Sequence, residues 1–278
     1  MLRRFRPLSF LQSVRLGLLS LLVAGAILAP SVARGIVIRH DIADAAYLAK
    51  ESDFPALFGI YRTKSGHKEC IATVISPRWA VTAAHCAREK RLLEAVASNG
   101  KGFAVEVAGR TASIDKVIPH PGTGTGRAPD IALLRFAVPV TDVAPIPLYK
   151  GREEAGRVIL MPGWGGTGNG KTGLGIEDGL FRTAENVVDL AEGGRLRWKF
   201  DAPGPKSKAL TLEGISGPGD SGGPALIKTP KGWALAGVSS AQDSMGGPEG
   251  LYGVEEVFVR VSEFTGWMER HYLARPRS

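Results

Sequence analysis

The chain has 278 residues, with 35 Lys and Arg against 27 Asp and Glu, 36 Gly, 18 Pro and 2 Cys. The hydrophobic share of 44% and the charged share of 22% are typical of globular proteins and exclude wholesale disorder. Two cysteines exclude a small scaffold held together by several disulfides. Glycine is about twice as frequent as usual, which favours many tight turns and short strands over a helical bundle.

The N-terminal segment is typical of an export signal. Four arginines precede an uncharged apolar run over residues 16–29, which is shorter than a bilayer-spanning helix needs. Pro30 ends the run, and the small residues Ser31-Val32-Ala33 are typical of a cleavage site. We therefore predict a signal peptide over residues 1–33 and a mature domain over residues 34–278, secreted or periplasmic, with no stable membrane span after cleavage. An uncleaved N-terminal anchor is the alternative.

The net charge of +8 at first favours a polyanionic partner. Loss of the leader's four arginines would reduce it to +4, because residues 1–33 contain no acid. A charge of this size requires no nucleic-acid partner, and we expect none.

After the leader, short apolar segments alternate with turn residues at intervals of about ten residues, a pattern typical of all-β domains. The predicted strands are 56–62, 69–76, 103–107, 113–118, 131–136, 157–161, 180–188, 196–200, 209–212, 224–227, 233–239 and 257–261. Helices are predicted only over 87–94 and 263–272, the second with Ser262 as its N-cap. So many strands favour two packed β-subdomains over one sheet.

Three segments combine a nucleophile, a base and an acid. His85 follows an apolar strand, Asp130 begins another, and Ser221 lies in the glycine-rich segment 217–224. A serine hydroxyl attacks well only when an imidazole takes its proton, and the imidazole needs a carboxylate to orient it. Each residue alone could be a structural His, a turn Asp or a turn Ser. Their joint occurrence in the order His, Asp, Ser favours catalysis and differs from the order in subtilisin-type and α/β-hydrolase enzymes.

The segments 82–86, 130–134 and 219–224, with Gly163-Trp164-Gly165, resemble the signature blocks of chymotrypsin-like serine proteases over residues 36–272. The resemblance implies two packed six-stranded antiparallel β-barrels, divided near residues 145–155, and a C-terminal helix. It also implies a peptide-hydrolysing triad of His85, Asp130 and Ser221, with the Gly219 and Ser221 N–H groups as the oxyanion hole. The same resemblance implies that the substrates are proteins or peptides. A protease-like binding module without activity is the alternative.

The two cysteines fit the same resemblance. Cys86 directly follows His85, and the family bridges this cysteine to a partner equivalent to Cys70. A disulfide closing a loop of this length contributes about 3 kcal/mol. The alternative is that both cysteines are free thiols, which is less common in exported proteins than in cytosolic ones.

The resemblance places the primary specificity pocket at Ile215 and Ser216, with a substrate-binding edge at Ser239, Ser240 and Ala241. Ile215 stands where trypsin-like members carry an acid, and Glu256 matches a pocket-wall position. Our hypothesis is that Glu256 gives a partial preference for Lys or Arg, mixed with a preference for aromatic residues. An outward-facing Glu256 is the alternative, because a one-residue slip exchanges the faces of a strand. The resemblance leaves open whether Ser239 or Ser240 supports the catalytic Asp.

In the family, a new Ile-Val N-terminus pairs with the Asp before the nucleophile, here Asp220. The sequence offers two possibilities: a second cut frees Ile36, or another cation such as Arg39 or His40 pairs with Asp220.

Residues 165–172 match the phosphate-loop pattern, and residues 163–168 match the dinucleotide pattern. Both patterns need a helix immediately afterwards, and the glycine-rich sequence that follows does not favour one. We therefore predict a mobile surface loop. The five histidines have no paired ligand spacing, so we expect no metal. We also expect that the protein needs no cofactor and is a monomer.

Overall fold

The strands dominate this computed structural model, which describes residues 36–64, 66–98, 100, 102–122, 129–175 and 178–272. The predicted signal peptide lies outside these ranges. In chain order the strands are β1 (Val37–Ile38), β2 (Leu57–Arg62), β3 (Lys68–Ser76), β4 (Trp79–Thr82), β5 (Phe103–Val107), β6 (Arg110–Pro119), β7 (Ala132–Phe136), β8 (Val158–Gly163), β9 (Gly168–Asn169), β10 (Gly173–Leu174), β11 (Arg182–Val187), β12 (Leu190–Glu192), β13 (Arg195–Lys199), β14 (Gly214–Ile215), β15 (Pro224–Thr229), β16 (Gly232–Asp243) and β17 (Glu255–Arg260).

The first large sheet is a six-stranded antiparallel barrel with the order β2-β3-β4-β7-β6-β5. The edge strands β2 and β5 also contact each other, so the sheet curls onto itself. Side chains that alternate inward form its core, where the Phe58 and Phe136 rings pack 5.7 Å apart. This barrel carries His85 just after β4 and Asp130 just before β7.

The second large sheet has the order β11-β8-β15-β16-β17-β13-β12, and its pairings are antiparallel. Trp198 and Phe258 are buried in its core with their rings 4.5 Å apart. The sheet has seven strands because Gly193 and Gly194, both with positive φ, turn the chain so that β12 pairs with β13. The two curled sheets and a C-terminal helix confirm the predicted chymotrypsin-like fold class.

A third, small sheet has the order β10-β9-β1-β14 and includes one parallel pairing, between β1 and β9. Val37 pairs with Gly168 on one side and with Ile215 on the other. The segment with the nucleotide-like pattern therefore contains β9, which pairs with both β1 and β10, and Thr167 within it is buried. The prediction of a mobile surface loop is wrong for Gly168 and Asn169, because they form a strand that pairs with Val37 and Ile38.

The described helices are α1 (Ala84–Ala87), α2 (Lys90–Ala97) and α3 (Thr265–Tyr272), with short 3-10 turns at 44–46, 51–53 and 261–263. The predicted helix 87–94 divides into α1 and α2, because Glu89 accepts the Arg91 N–H and caps a new start. Ser262 was wrongly predicted as an N-cap: its hydroxyl donates to Glu154. No helix of the described ranges is long and apolar enough to cross a membrane.

The predicted strand 209–212 does not form. Side chains satisfy its backbone instead: the Leu210 N–H donates to Glu213, and its carbonyl accepts from Arg39. Since these groups already have partners, no neighbouring strand is needed to satisfy them.

Candidate active site

His85 and Asp130 form a two-point contact at the end of the first barrel. His85 Nδ1 lies 2.7 Å from Asp130 Oδ2, and the His85 N–H donates to Asp130 Oδ1 at 2.8 Å. The Ser240 hydroxyl donates to the same carboxylate at 2.7 Å. Burial acts to raise the pKa of Asp130, but the hydrogen bonds from His85 and Ser240 outweigh it, and the pKa is lowered. The carboxylate is therefore ionised at neutral pH and fixes one ring nitrogen of His85.

Ser221 lies in a loop that packs directly against the strands leading to His85. The Ser221 carbonyl accepts the Ile71 N–H at 2.7 Å and lies 3.6 Å from Cys86 Sγ. A His85 ring nitrogen lies within 4.8 Å of the Cys86 sulfur. These contacts bring the serine and histidine segments together, although they are far apart in sequence.

Glycine is required at two positions of this loop. Gly222 has φ +79°, and a Cβ there would overlap the Thr82 side chain. Gly219 has φ +98°, a backbone conformation that L side chains rarely adopt. Within the described ranges, neither the Gly219 nor the Ser221 N–H donates to a protein acceptor. Two N–H groups are thus free to bind an anionic oxygen.

Asp220 is fully buried beside the loop. Its carboxylate accepts the Gly165 N–H at 2.6 Å and the Gly217 N–H at 2.9 Å. Burial raises the pKa of Asp220 to about 6, and backbone N–H groups that include that of Ile36 only partly offset it.

The three candidate partners of Asp220 lie in different places. Ile36 is buried, and its backbone N–H acts to lower the pKa of Asp220. Arg39 instead pairs with Asp41 at 2.7 Å, and the His40 ring contacts the Tyr252 hydroxyl. Ile36 also has φ +53°, an outlying conformation for a β-branched residue.

Ser216, Ser239 and Glu256 form a buried polar cluster behind the loop. The Ser216 hydroxyl lies 3.0 Å from both Glu256 carboxylate oxygens and 3.4 Å from the Ser239 hydroxyl. Burial raises the pKa of Glu256 to about 8, against the opposing effect of its hydrogen bonds. Glu256 is thus directed inward rather than to solvent. Ile215 lies apart from the cluster: it is buried in the core of the second sheet.

A disulfide joins Cys70 to Cys86, which confirms that prediction. It connects β3 to α1, on which His85 lies. The two sulfurs and His85 are near enough to resemble a metal site. Because the sulfurs are bonded to each other, they do not supply thiolate ligands.

A cleft of about 600 Å³ adjoins the His85–Asp130 pair. Ser240 and the exposed Ala241 form part of its wall, together with Phe264. The β15–β16 pairing ends at Val238, and the Ser239 backbone still exchanges hydrogen bonds with Gly222 and Gly223. Residues 241–243 pair only with β17. One edge of this segment is therefore available for an extended peptide.

Sequence reasoning missed the role of Gln242, which donates to both Glu256 and the Ser216 carbonyl. It also left the choice between Ser239 and Ser240 open. A β-bulge between Ser239 and Ala241 decides it, since Ser239 faces Ser216 while Ser240 faces Asp130. No local sequence signal reveals that bulge.

Residues 47–268 match the trypsin family model. The chain is 26% identical to the CLIP domain-containing serine protease B15 of Anopheles gambiae, over 83% of this chain and 70% of that protein. It is 27% identical to an uncharacterized peptidase of Corynebacterium glutamicum, over 75% of this chain and 66% of the relative's length. It is 30% identical to a trypsin of Simulium vittatum, over 66% of this chain and 76% of that protein.

Proposed function

Since the chain belongs to the trypsin family, we propose that it is an active serine endopeptidase that hydrolyses peptide bonds through an acyl-enzyme. The observation that carries the proposal is the fixed His85–Asp130 pair beside the docked Ser221 loop. Such a pair is what a serine hydroxyl needs to become a nucleophile.

In the proposed mechanism, the Ser221 hydroxyl attacks the peptide carbonyl while His85 takes its proton. His85 then returns the proton to the leaving amine, and a water molecule repeats the sequence on the acyl-enzyme. Asp130 orients His85 and stabilises its cationic form. The Gly219 and Ser221 N–H groups stabilise the negative oxygen of each tetrahedral intermediate. These roles follow the general triad scheme, applied to the residues that occupy its positions in this chain.

The substrate backbone would bind as an added strand along residues 240–243 of β16. This segment has a free edge, and it borders the cleft next to the catalytic pair. Backbone hydrogen bonds to such an edge give affinity for extended protein or peptide segments without requiring one sequence.

Labelling with a fluorophosphonate probe tests this proposal. The wild-type chain should form a covalent adduct at Ser221, and Ser221→Ala should not react. Turnover of a peptide library should fall by on the order of a million-fold in Ser221→Ala. Ser98→Ala, which changes an exposed serine on another surface, is the matched control. If the folded wild-type chain neither reacts nor cleaves but still binds peptides, the chain is a binding module instead.

We also propose that the protein is exported to an oxidising compartment, secreted or periplasmic. The disulfide supports this, because such bonds persist mainly outside the reducing cytosol. Non-reducing mass spectrometry of the exported protein, with sequencing of its N-terminus, tests both the bond and removal of residues 1–33. An intracellular, fully reduced chain would contradict the proposal.

Activation by a cut before Ile36 completes the proposal. The Ile36 N–H already acts to lower the pKa of Asp220, and a free N-terminus there would place an ammonium beside this buried carboxylate. A chain that begins at Ile36 should therefore be more active than one that begins at Arg34. Equal activity would favour a mature enzyme that needs no second cut.

A further inference from the structure

Gln242, which the proposed mechanism does not use, belongs to the polar cluster behind the Ser221 loop. It lies opposite Glu256 in the register of β16 and β17, so both side chains project from the same face. Its Nε2 group donates to Glu256 Oε1 at 2.8 Å and to the Ser216 carbonyl at 2.6 Å. Its Oε1 accepts the Gly250 N–H at 3.2 Å. Both amide hydrogens and the amide oxygen are therefore used within the protein.

The cluster lies where a substrate side chain next to the scissile bond would point. The Gly222 N–H donates to the Ser239 carbonyl at 2.9 Å, which joins the nucleophile loop to β16. Ser216 precedes Ser221 by five residues and contacts Ser239 on the buried side of this junction. A substrate whose carbonyl reaches Ser221 while its backbone pairs with residues 240–243 would direct its side chain into this space.

A Lys or Arg side chain would need the acceptors that Gln242 already occupies. Cationic groups bind carboxylate and carbonyl oxygens, which here are Glu256 Oε1 and the Ser216 carbonyl. To enter, the cation would have to break both Gln242 bonds and leave the Gly250 N–H without its acceptor. Buried groups that lose their partners are unfavourable.

The charge of the cluster also disfavours a cation. The donors to Glu256 are a hydroxyl and a carboxamide, both neutral, and the negative charge of Asp220 opposes the ionisation of Glu256. Burial raises the pKa of Glu256 to about 8. At neutral pH the carboxyl is therefore mainly protonated, and it offers little negative charge to attract Lys or Arg.

We propose that the Gln242 carboxamide is an internal plug of the specificity pocket, so that the enzyme accepts short uncharged side chains, rather than Lys or Arg, before the scissile bond. The inference rests on the proposed endopeptidase function and names its substrate class. It also replaces the hypothesis of a Lys or Arg preference, which assumed that the Glu256 carboxylate is open to substrate.

The decisive probe is benzamidinium, a small aromatic cation, measured by calorimetry with the full chain carrying Ser221→Ala. This readout does not depend on turnover. With Gln242 present, we expect no saturable binding at millimolar concentration. Gln242→Gly should tighten binding at least about tenfold, because it frees both acceptors and opens the Glu256 carboxyl to solvent, where it ionises. In the Gln242→Gly chain, a second substitution, Glu256→Gln, should remove this gain in affinity. The control substitution Glu255→Gln should retain the gain, because Glu255 is next to Glu256 on β17 but pairs with Arg197.

If the chain that keeps Gln242 binds benzamidinium with a submillimolar dissociation constant, the proposal is wrong. This measurement does not depend on whether a variant of the polar cluster folds. A folded Gln242→Gly chain without tighter binding would also overturn it. Gln242→Ala, which keeps a side chain at the strand position, is the second variant if thermal melting shows that the glycine variant is unfolded.

The same substitution in the catalytic chain gives a second measurement. Gln242→Gly should raise kcat/KM for peptides with Lys or Arg before the cleaved bond at least about tenfold relative to Ala peptides. Wild-type preference for Lys or Arg would contradict the plug. Absence of fluorophosphonate labelling would instead contradict the endopeptidase function, while the benzamidinium result would still decide the role of Gln242.

Discussion

Glu256→Gln should make the protein more stable at high pH while leaving its stability near pH 5 almost unchanged. Burial raises the pKa of Glu256 to about 8, from 4.5 when unfolded. The folded state therefore holds a proton that the unfolded state releases between these values, so the contribution of Glu256 to stability falls as pH rises through this window. Gln is neutral throughout and retains a carbonyl for the Ser216 and Gln242 donors. The free-energy advantage of the variant should grow by about 4 kcal/mol between pH 5 and pH 9.

Urea denaturation at pH 5, 7 and 9 measures this difference directly. The controls are the wild type and Glu255→Gln, which removes an acid from the neighbouring position, where it pairs with Arg197. The variant's advantage should appear by pH 7, since most of the window lies below that value. A constant difference between Glu256→Gln and wild type across the series would refute the reasoning. Such a result would mean that Glu256 of the folded protein is accessible to solvent, or that it is already ionised at pH 5, so that its pKa is not raised by folding.

Three other variants test the positioning and the stability of the site. Ser240→Ala should lower kcat about tenfold with little change in KM, because it removes one charge-assisted hydrogen bond from the orienting carboxylate; an unchanged kcat would contradict this role. Replacing Cys70 and Cys86 together by Ser should reduce the free energy of unfolding by about 3 kcal/mol in urea titrations. Gly222→Ala should abolish fluorophosphonate labelling and destabilise the fold more than Gly109→Ala, which has a similar positive φ but open space around it. Equal effects of the two glycine variants would show that crowding is unimportant.

Much of the fold could be predicted because most strands have their own apolar pattern. The strand 103–107 forms with the predicted bounds, and the strand predicted at 131–136 begins one residue later. The two-residue strands β1, β9, β10 and β14 could not be found this way, since two residues have no periodicity. They exist because Val37 and Ile38 pair with segments that are distant in sequence.

The residues of the candidate site could be proposed from the sequence, whereas the directions of their side chains could not. His85, Asp130 and Ser221 each stand in a distinctive local sequence. The direction of Glu256 depends on its register with Trp198 and Gln242, which the two adjacent acids in its strand do not reveal. The role proposed for Gln242 could not be predicted from the sequence either, because it depends on the contacts of this side chain with Glu256, Ser216 and Gly250.

The glycine-rich segment that matches nucleotide-binding patterns has a physical explanation within the fold. A Cβ at Gly163 or Gly165 would overlap the Asp220 carboxylate, and one at Gly217 would overlap the Gly166 carbonyl. The Gly165 and Gly217 N–H groups donate to that carboxylate. Nucleotide-binding loops use glycines in a similar way, to bring backbone N–H groups close to an anion. Here the anionic group belongs to the protein's own Asp220, so the pattern reflects burial of an internal carboxyl group beside the nucleophile rather than recognition of a phosphate.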